Sequence, residues 1–95
     1  MRRDLIDLGL RIGLRLETTG NAHEARSIYL RTLDHYPDAG PVCKALIKER
    51  LSRRDFEAAV DDYGRYERAL DAAGEAAPAA EIRALVEPYL VRHRR

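Results

Sequence analysis

The chain has 95 residues, of which 45% are hydrophobic and 35% charged, and its net charge is +1. These values fit one small, soluble, folded domain, and they exclude a disordered tail, a membrane span and a general attraction to nucleic acid or acidic lipid. The single cysteine, Cys43, cannot form an internal disulfide, so we expect a reducing compartment, the cytoplasm. The first residues are basic and then apolar, but Asp4 and Asp7 interrupt them, so a signal peptide is not expected.

The first element includes residues 8–16, LGLRIGLRL, in which leucine or isoleucine alternates with glycine or arginine. Alternation is typical of a half-buried strand, and two glycines weaken a helix. However, no other segment predicts a strand, so a lone strand here would leave its backbone N–H and C=O groups unpaired. We therefore predict a helix that is apolar around most of its circumference and buried on more than one side.

A second helix is predicted after Asn21, which forms a possible capping box with Glu24, and it ends at Pro37. A third helix follows, because Pro41 suits the first turn of a helix. The short runs between these segments predict helices that pack as neighbours.

A fourth helix is predicted from near Asp55 to Gly74, and Pro78 opens the fifth. Pro88 lies inside this last segment, where it removes a backbone donor and is expected to kink the helix or to end it one turn early. The sequence thus predicts an all-α domain of five helices.

Two of these segments share an internal repeat. Ala25 and Tyr29 recur as Ala59 and Tyr63, and both pairs are 34 residues apart. Thirty-four residues is the period of the tetratricopeptide repeat. Around Ala25, the small residue, the turn glycine and the closing proline of that repeat are matched by Gly13, Gly20 and Pro37.

On these residues, the chain resembles a tetratricopeptide repeat over residues 6–39, with a weaker copy over residues 40–74 and a packing helix over residues 78–93. The weaker copy has Ile47 in place of the small residue, Arg54 in place of the turn glycine, and no closing proline. The resemblance implies a tetratricopeptide-like antiparallel helical array, a short right-handed solenoid. It also implies that Gly13 faces Ala25, and that the first helices of the repeats line a concave groove.

The second half of the chain also resembles the end of the bacterial transcriptional activator domain, the helical module of antibiotic-pathway regulators. That resemblance implies a protein–protein interaction module of a bacterial transcriptional regulator, whose usual winged-helix DNA-binding domain is not among these 95 residues. The matching residues are Ala59, Tyr63, Tyr66, Arg68, Leu70, Gly74, Pro78, Glu81, Arg83, Ala84 and Leu85.

Candidate catalytic and metal-binding residues are sparse. His23, His35 and His93 have no second ligand residue at metal spacing, and Cys43 has no histidine near it in the sequence. The neighbours Asp61 and Asp62 diverge by about 100° on a helix, so we expect them on an exposed polar face. No enzyme activity, metal or cofactor is therefore predicted.

A small DNA-binding protein with a helix–turn–helix is the second of two alternative functions, because the turn between the third and fourth helices contains Arg53 and Arg54. The helix that would enter the groove is acidic, however, and its carboxylates repel phosphate. Direct contact with nucleic acid is therefore not expected. The acidic residues are Asp55, Glu57, Asp61, Asp62 and Glu67.

A protein or peptide partner fits the sequence better. In the repeat register, Leu10, Leu14, Lys44 and Lys48 fall on the groove positions, and two apolar residues beside two cations suit an extended or helical peptide with an acidic group. The competing interpretation is that the two lysines are ordinary solvated side chains. A stand-alone adaptor or dimerisation domain, unrelated to transcription, is the first alternative function.

The first helix carries more apolar residues than its neighbours can cover. Contiguous exposed apolar patches mark interfaces, and two-fold dimers are the commonest assemblies. We therefore predict a homodimer with the first helix at its interface, the alternative occupant being an upstream domain of a longer protein. The apolar residues are Leu5, Ile6, Leu8, Leu10, Ile12, Leu14 and Leu16.

Overall fold

The computed structural model describes residues 2–75 and 77–93, with side chains up to residue 90. The described residues form five α-helices and no strand, which confirms the predicted all-α, five-helix domain. Residues 8–16 are helical in spite of their alternating pattern. The helices are α1 (Arg2–Thr18), α2 (Ala22–His35), α3 (Gly40–Ser52), α4 (Phe56–Ala72) and α5 (Ala80–His93).

Three helices end in the same backbone turn, in which one residue is left-handed and the next N–H bonds back into the helix. The left-handed residues are Gly20 (φ 83°), Arg54 (φ 59°) and Gly74 (φ 70°). The returning bonds at the ends of α1, α3 and α4 are 2.8, 2.9 and 2.9 Å long. Gly74 thus ends α4 as predicted, and Arg54 adopts a conformation that normally favours glycine.

Two of the predicted helix-start signals are confirmed, and a third is wrong. Pro41 lies in the first turn of α3, and the Asp55 carboxylate accepts a hydrogen bond from Ala58 N at the start of α4, as helix capping requires. Asn21 precedes α2, but its side chain donates to Thr19 Oγ1 at 3.1 Å and caps nothing, so the predicted capping box is wrong.

Pro88 does not end α5, which continues to His93, so of the two predicted outcomes the early end is wrong. Val86 and Leu90 are both buried against α3 and α4, one on either side of the proline in the chain. This packing holds the helix together across the missing hydrogen bond. Pro88 itself is exposed, as is Ala84, whose carbonyl has no N–H at residue 88 to accept from.

The helices form two rows. α3 packs against both α1 and α5, so these three helices lie side by side. α2 packs on α1 and α3, and α4 packs on α3 and α5. Within the described residues, α2 and α4 make no close backbone contact with each other. The row of α1, α3 and α5 therefore has one side that neither α2 nor α4 covers.

The core has two parts, which meet at α3. One lies between α2 and α3 and includes Ala25, Tyr29 and Leu46, and it is bordered by partly buried residues of α1. The other joins α3, α4 and α5. Its buried members are Cys43, Ile47, Ala59, Tyr63, Tyr66, Leu70, Ile82, Val86 and Leu90. The five residues expected to pack the repeats, Gly13, Ala25, Tyr29, Ala59 and Tyr63, are all buried.

Gly13 has a different neighbour from the one predicted. A β-carbon built on Gly13 would lie 2.7 Å from Cζ and 2.8 Å from Cδ1 of the Tyr29 ring, and its three nearest atoms all belong to that ring. The group nearest to Gly13 is therefore Tyr29, one helical turn along α2 from the predicted Ala25. The aromatic ring is the bulkier group, so it takes the space that the missing side chain leaves.

Buried ion pairs connect the rows, and the sequence did not predict them. Glu49 of α3 bonds Arg26 of α2 at 3.0 Å. Asp62 of α4 bonds Arg50 of α3 at 3.0 Å and Arg65 at 2.5 Å. Both carboxylates are buried, so the expectation of an exposed Asp62 is wrong. A paired and hydrogen-bonded carboxylate can be buried where an unpaired one cannot.

Candidate functional site

The uncovered side of the α1, α3 and α5 row is an open groove with a volume of about 410 Å³. Leu10 and Leu14 of α1 and Lys44 and Lys48 of α3 all line it, so the structure brings the four predicted partner-binding residues together. The remaining lining residues are Gly40, Pro41, Ala45, Ala79, Glu81 and Ile82.

The position of these side chains follows from the helix periodicity. Leu10 and Leu14 are four residues apart, and so are Lys44 and Lys48, so each pair projects from one face of its helix. α1 turns its glycine face toward α2, where Gly9 and Gly13 are buried. Leu14 therefore remains 46% exposed, on the groove side of the helix.

The third wall of the groove was not predicted from the sequence. α5 contributes Ile82, which is buried and also belongs to the α3–α5 core, and Glu81 at the rim. A signal for Ile82 was present, because it follows Lys48 by the same 34 residues that separate Lys48 from Leu14. The absence of a clear third repeat concealed it.

The two lysines of the groove are not equivalent. Lys44 Nζ lies 3.1 Å from Glu81 Oε2, in an ion pair that joins α3 to α5. Lys48 is exposed and has no ion-pair partner among the described residues. The expectation of two available cations is therefore corrected to one, because the charge of Lys44 is compensated within the chain. The groove has an apolar floor with a single unpaired positive charge.

A second cavity, of about 420 Å³, lies on the opposite side of the domain, between α2 and α4. Cys43 and Asp62 line it, but neither is a reactive group. Burial, with a further contribution from the Asp62 charge, raises the pKa of the Cys43 thiol to about 12, so the thiol is protonated at neutral pH and is not a nucleophile. Asp62 is held by its two arginines.

Elsewhere the described residues offer little chemistry. No group of three or more His, Cys, Asp or Glu side chains among them could hold a metal ion, and the side chain of His93 lies outside the described part of the chain. The Tyr29 hydroxyl donates to the Glu17 carboxylate. Burial, together with this bond, raises the pKa of the hydroxyl, so Tyr29 is a packing residue.

The outer face of α1 is the other notable surface. Leu5, Leu8 and Ile12 are 53%, 48% and 41% exposed. They lie at spacings of three and four residues and so form one stripe along the helix. At about 100° per residue, this stripe is roughly 150–170° around the helix axis from Leu10 and Leu14. α1 therefore has two separate apolar surfaces, one in the groove and one facing away from the domain.

None of the helices in the described ranges is long and apolar enough to cross a membrane. Comparisons of the chain with protein-family models, with curated proteins and with solved structures found no match.

Proposed function

We propose that this chain is a protein–protein interaction module of the tetratricopeptide type, which binds a segment of a partner protein in the groove of α1, α3 and α5. The observation that carries the proposal is the placement of Leu14, Lys48 and Ile82. These residues are spaced by 34 positions along the chain and come from three different helices, yet they line one open groove. Repeated equivalent positions on a shared concave surface are how helical repeat proteins build binding sites.

The lining of the groove indicates the chemistry of the ligand. Leu10, Leu14, Ala45 and Ile82 provide apolar surface, and a volume of about 410 Å³ accommodates a few side chains rather than a whole globular surface. Lys48 lies beside this surface with no ion-pair partner in the part of the chain that the structure describes, and it attracts a carboxylate. The ligand we propose is an extended or helical peptide segment with two or three aliphatic side chains and one Asp or Glu.

Selection from a random 12-residue peptide library displayed on phage tests the groove directly. We expect the selected peptides to share aliphatic residues and one acidic residue. Reversing the charge at the groove, in Lys48→Glu, replaces attraction with repulsion and is expected to weaken a selected synthetic peptide about tenfold. Leu14→Glu, which places a charge on the apolar floor, is expected to abolish binding. Fluorescence anisotropy of the labelled peptide measures both effects.

Two matched variants complete the experiment. Leu8→Glu introduces the same charge on the other face of α1, so it is expected to leave peptide affinity unchanged. Glu81→Gln removes the carboxylate that neutralises Lys44, so it is expected to tighten an acidic peptide a few-fold. Selected peptides that bind Lys48→Glu and Leu14→Glu as well as the wild type would contradict the proposal.

The setting we propose for this module is a bacterial transcriptional regulator. The support is the run of matched residues from Ala59 to Leu85, and the alternative is a stand-alone adaptor. The acidic groups of α4 also make a DNA-binding role for that helix unfavourable. Sequencing the coding region upstream tests the setting. A winged-helix or ATPase domain in the same reading frame supports the regulator, and a stop codon before any such domain supports the adaptor.

A further inference from the structure

The outer stripe of α1, formed by Leu5, Leu8 and Ile12, is unlike any other part of the described surface. These three side chains and Leu14 are the large hydrophobic residues that are exposed, and Leu14 belongs to the groove. The stripe has the alternating three- and four-residue spacing with which helices pack along a shared seam. One position further along the seam is Arg15, also exposed.

We infer that two copies of this chain form a dimer through this stripe, with their α1 helices antiparallel and a two-fold axis close to residue 10. In this register Leu8 of each copy packs against Ile12 of the other. Leu5 packs against the aliphatic stem of Arg15 of the other copy, because arginine buries its methylene groups and keeps its charge at the edge.

The charges at the two ends of the stripe fit the same register. Asp4 and Arg15 lie on the same side of the seam, at about 100° per residue. Both are exposed, and neither has an ion-pair partner among the residues described. In the antiparallel register that pairs Leu8 with Ile12, Asp4 of one copy lies beside Arg15 of the other. Two-fold symmetry makes this contact twice.

The parallel arrangement is disfavoured by the same residues. It would bring Arg15 of one copy to the level of Arg15 of the other, and Asp4 to the level of Asp4. Like charges at neighbouring positions on helix surfaces are destabilising, and at e and g positions such pairs decide helix orientation. The apolar spacing and the two Asp4–Arg15 contacts thus favour a second copy of this chain, antiparallel, as the occupant, and they outnumber the one unfavourable contact of Arg11 with Arg11 near the two-fold axis.

The dimer leaves the groove accessible, because Leu10 and Leu14 are on the far side of α1 from the stripe. Each dimer therefore presents two grooves. The stripe is only three apolar residues long, well below the extent of a standard interface, so we expect a weak dimer, with a dissociation constant of roughly 10–100 µM.

Sedimentation equilibrium of the 95-residue chain between 5 and 500 µM, on the order of the expected dissociation constant, tests this inference. We expect a reversible shift from 10.8 kDa to twice that mass. Leu8→Glu is expected to remain monomeric throughout. Leu14→Glu, a control with the same charge on the groove side, is expected to dimerise as the wild type does. Circular dichroism confirms that each variant is folded.

Charge reversal tests the orientation. Asp4→Arg alone and Arg15→Asp alone each create two repulsive contacts in the antiparallel dimer and are expected to weaken it about tenfold. The double variant restores both attractive contacts and is expected to dimerise more strongly than either single variant, but less than the wild type because the Arg15 stem that covers Leu5 is lost. In a parallel dimer, neither single reversal would matter, because Asp4 and Arg15 lie at different levels of the two helices and do not meet.

A chain that is monomeric at every concentration overturns the inference, as does a dimer that Leu8→Glu leaves intact. Insensitivity to both single charge reversals overturns the antiparallel register. Larger assemblies overturn the closed two-fold arrangement. None of these results bears on peptide binding in the groove, which the Lys48→Glu and Leu14→Glu variants test separately.

Discussion

α1 and α3 both contain groove residues at a 34-residue spacing, yet the two helices are buried to very different extents. The buried residues of α1 are two glycines, Gly9 and Gly13. All of its leucine and isoleucine side chains are at least partly exposed. In α3, by contrast, most of the large apolar side chains are buried. The buried residues of α3 are Val42, Cys43, Ala45, Leu46, Ile47 and Glu49.

Position in the row, rather than apolar content, decides how much of each helix is buried. α1 is rich in leucine and isoleucine, but among the described helices it contacts only α2 and α3. α3 contacts all four other helices. A helix that lies between neighbours on several sides buries most of its circumference, whereas one at the end of a row keeps one apolar face exposed.

The largest expected effect on stability comes from truncating a leucine of α3, and the same truncation in α1 is its control. Leu46→Ala in α3 removes a fully buried side chain, so we expect a loss of about 2–5 kcal/mol in the free energy of unfolding. Leu5→Ala in α1 removes a side chain that is already half exposed, and the expected loss is below about 1 kcal/mol. Urea unfolding followed by circular dichroism measures both. Equal losses would show that α1 is covered in solution.

A glycine of α1 tests how tightly α1 and α2 pack together. Gly13→Ala places a β-carbon inside contact distance of the Tyr29 ring, so we expect a loss of about 1–3 kcal/mol from overpacking. Gly13→Leu is expected to lose at least as much.

Gly64 in α4 is the matched control, because an added β-carbon there meets only Arg68 Nη1, at an ordinary 3.5 Å. Gly64→Ala is expected to stabilise the fold by about 0.5–1 kcal/mol through helix propensity. Thermal unfolding measures both changes in stability, which are expected to be opposite in sign. A Gly13→Ala variant that melts at or above the wild-type temperature would mean that the α1–α2 contact is looser than described.

The smallest effect concerns the turns that end α1 and α3. Gly20 and Arg54 are equivalent in the repeat and both are left-handed, which costs about 1–2 kcal/mol for a residue with a side chain. Arg54→Gly removes that strain but gives up a contact with the Phe56 ring and makes the unfolded chain more flexible, so a net gain of about 0.5 kcal/mol is expected. Gly20→Ala is expected to lose about 1 kcal/mol. Two variants that shift the urea midpoint in the same direction would exclude this explanation.

Much of the fold could be predicted because its signals are local. Pro41 in the first turn of α3, Asp55 before α4 and Gly74 after it each act through bonds to residues a few positions away. The four groove residues could also be predicted, because Leu10, Leu14, Lys44 and Lys48 follow a spacing that is visible in the chain. The pairing of Lys44 could not be predicted, since its partner Glu81 is 37 residues away, on a helix without a clear repeat signature.

The number of helices and most of their ends follow from the sequence alone, because periodicity and helix-terminating residues act over short distances. Only the tertiary structure decided that α5 continues past Pro88, that Asp62 is buried between two arginines, and that Gly13 receives the Tyr29 ring. It also decided which apolar face of α1 is left uncovered. Each of these outcomes depends on which helices lie side by side, since burial and charge pairing are properties of neighbours in space.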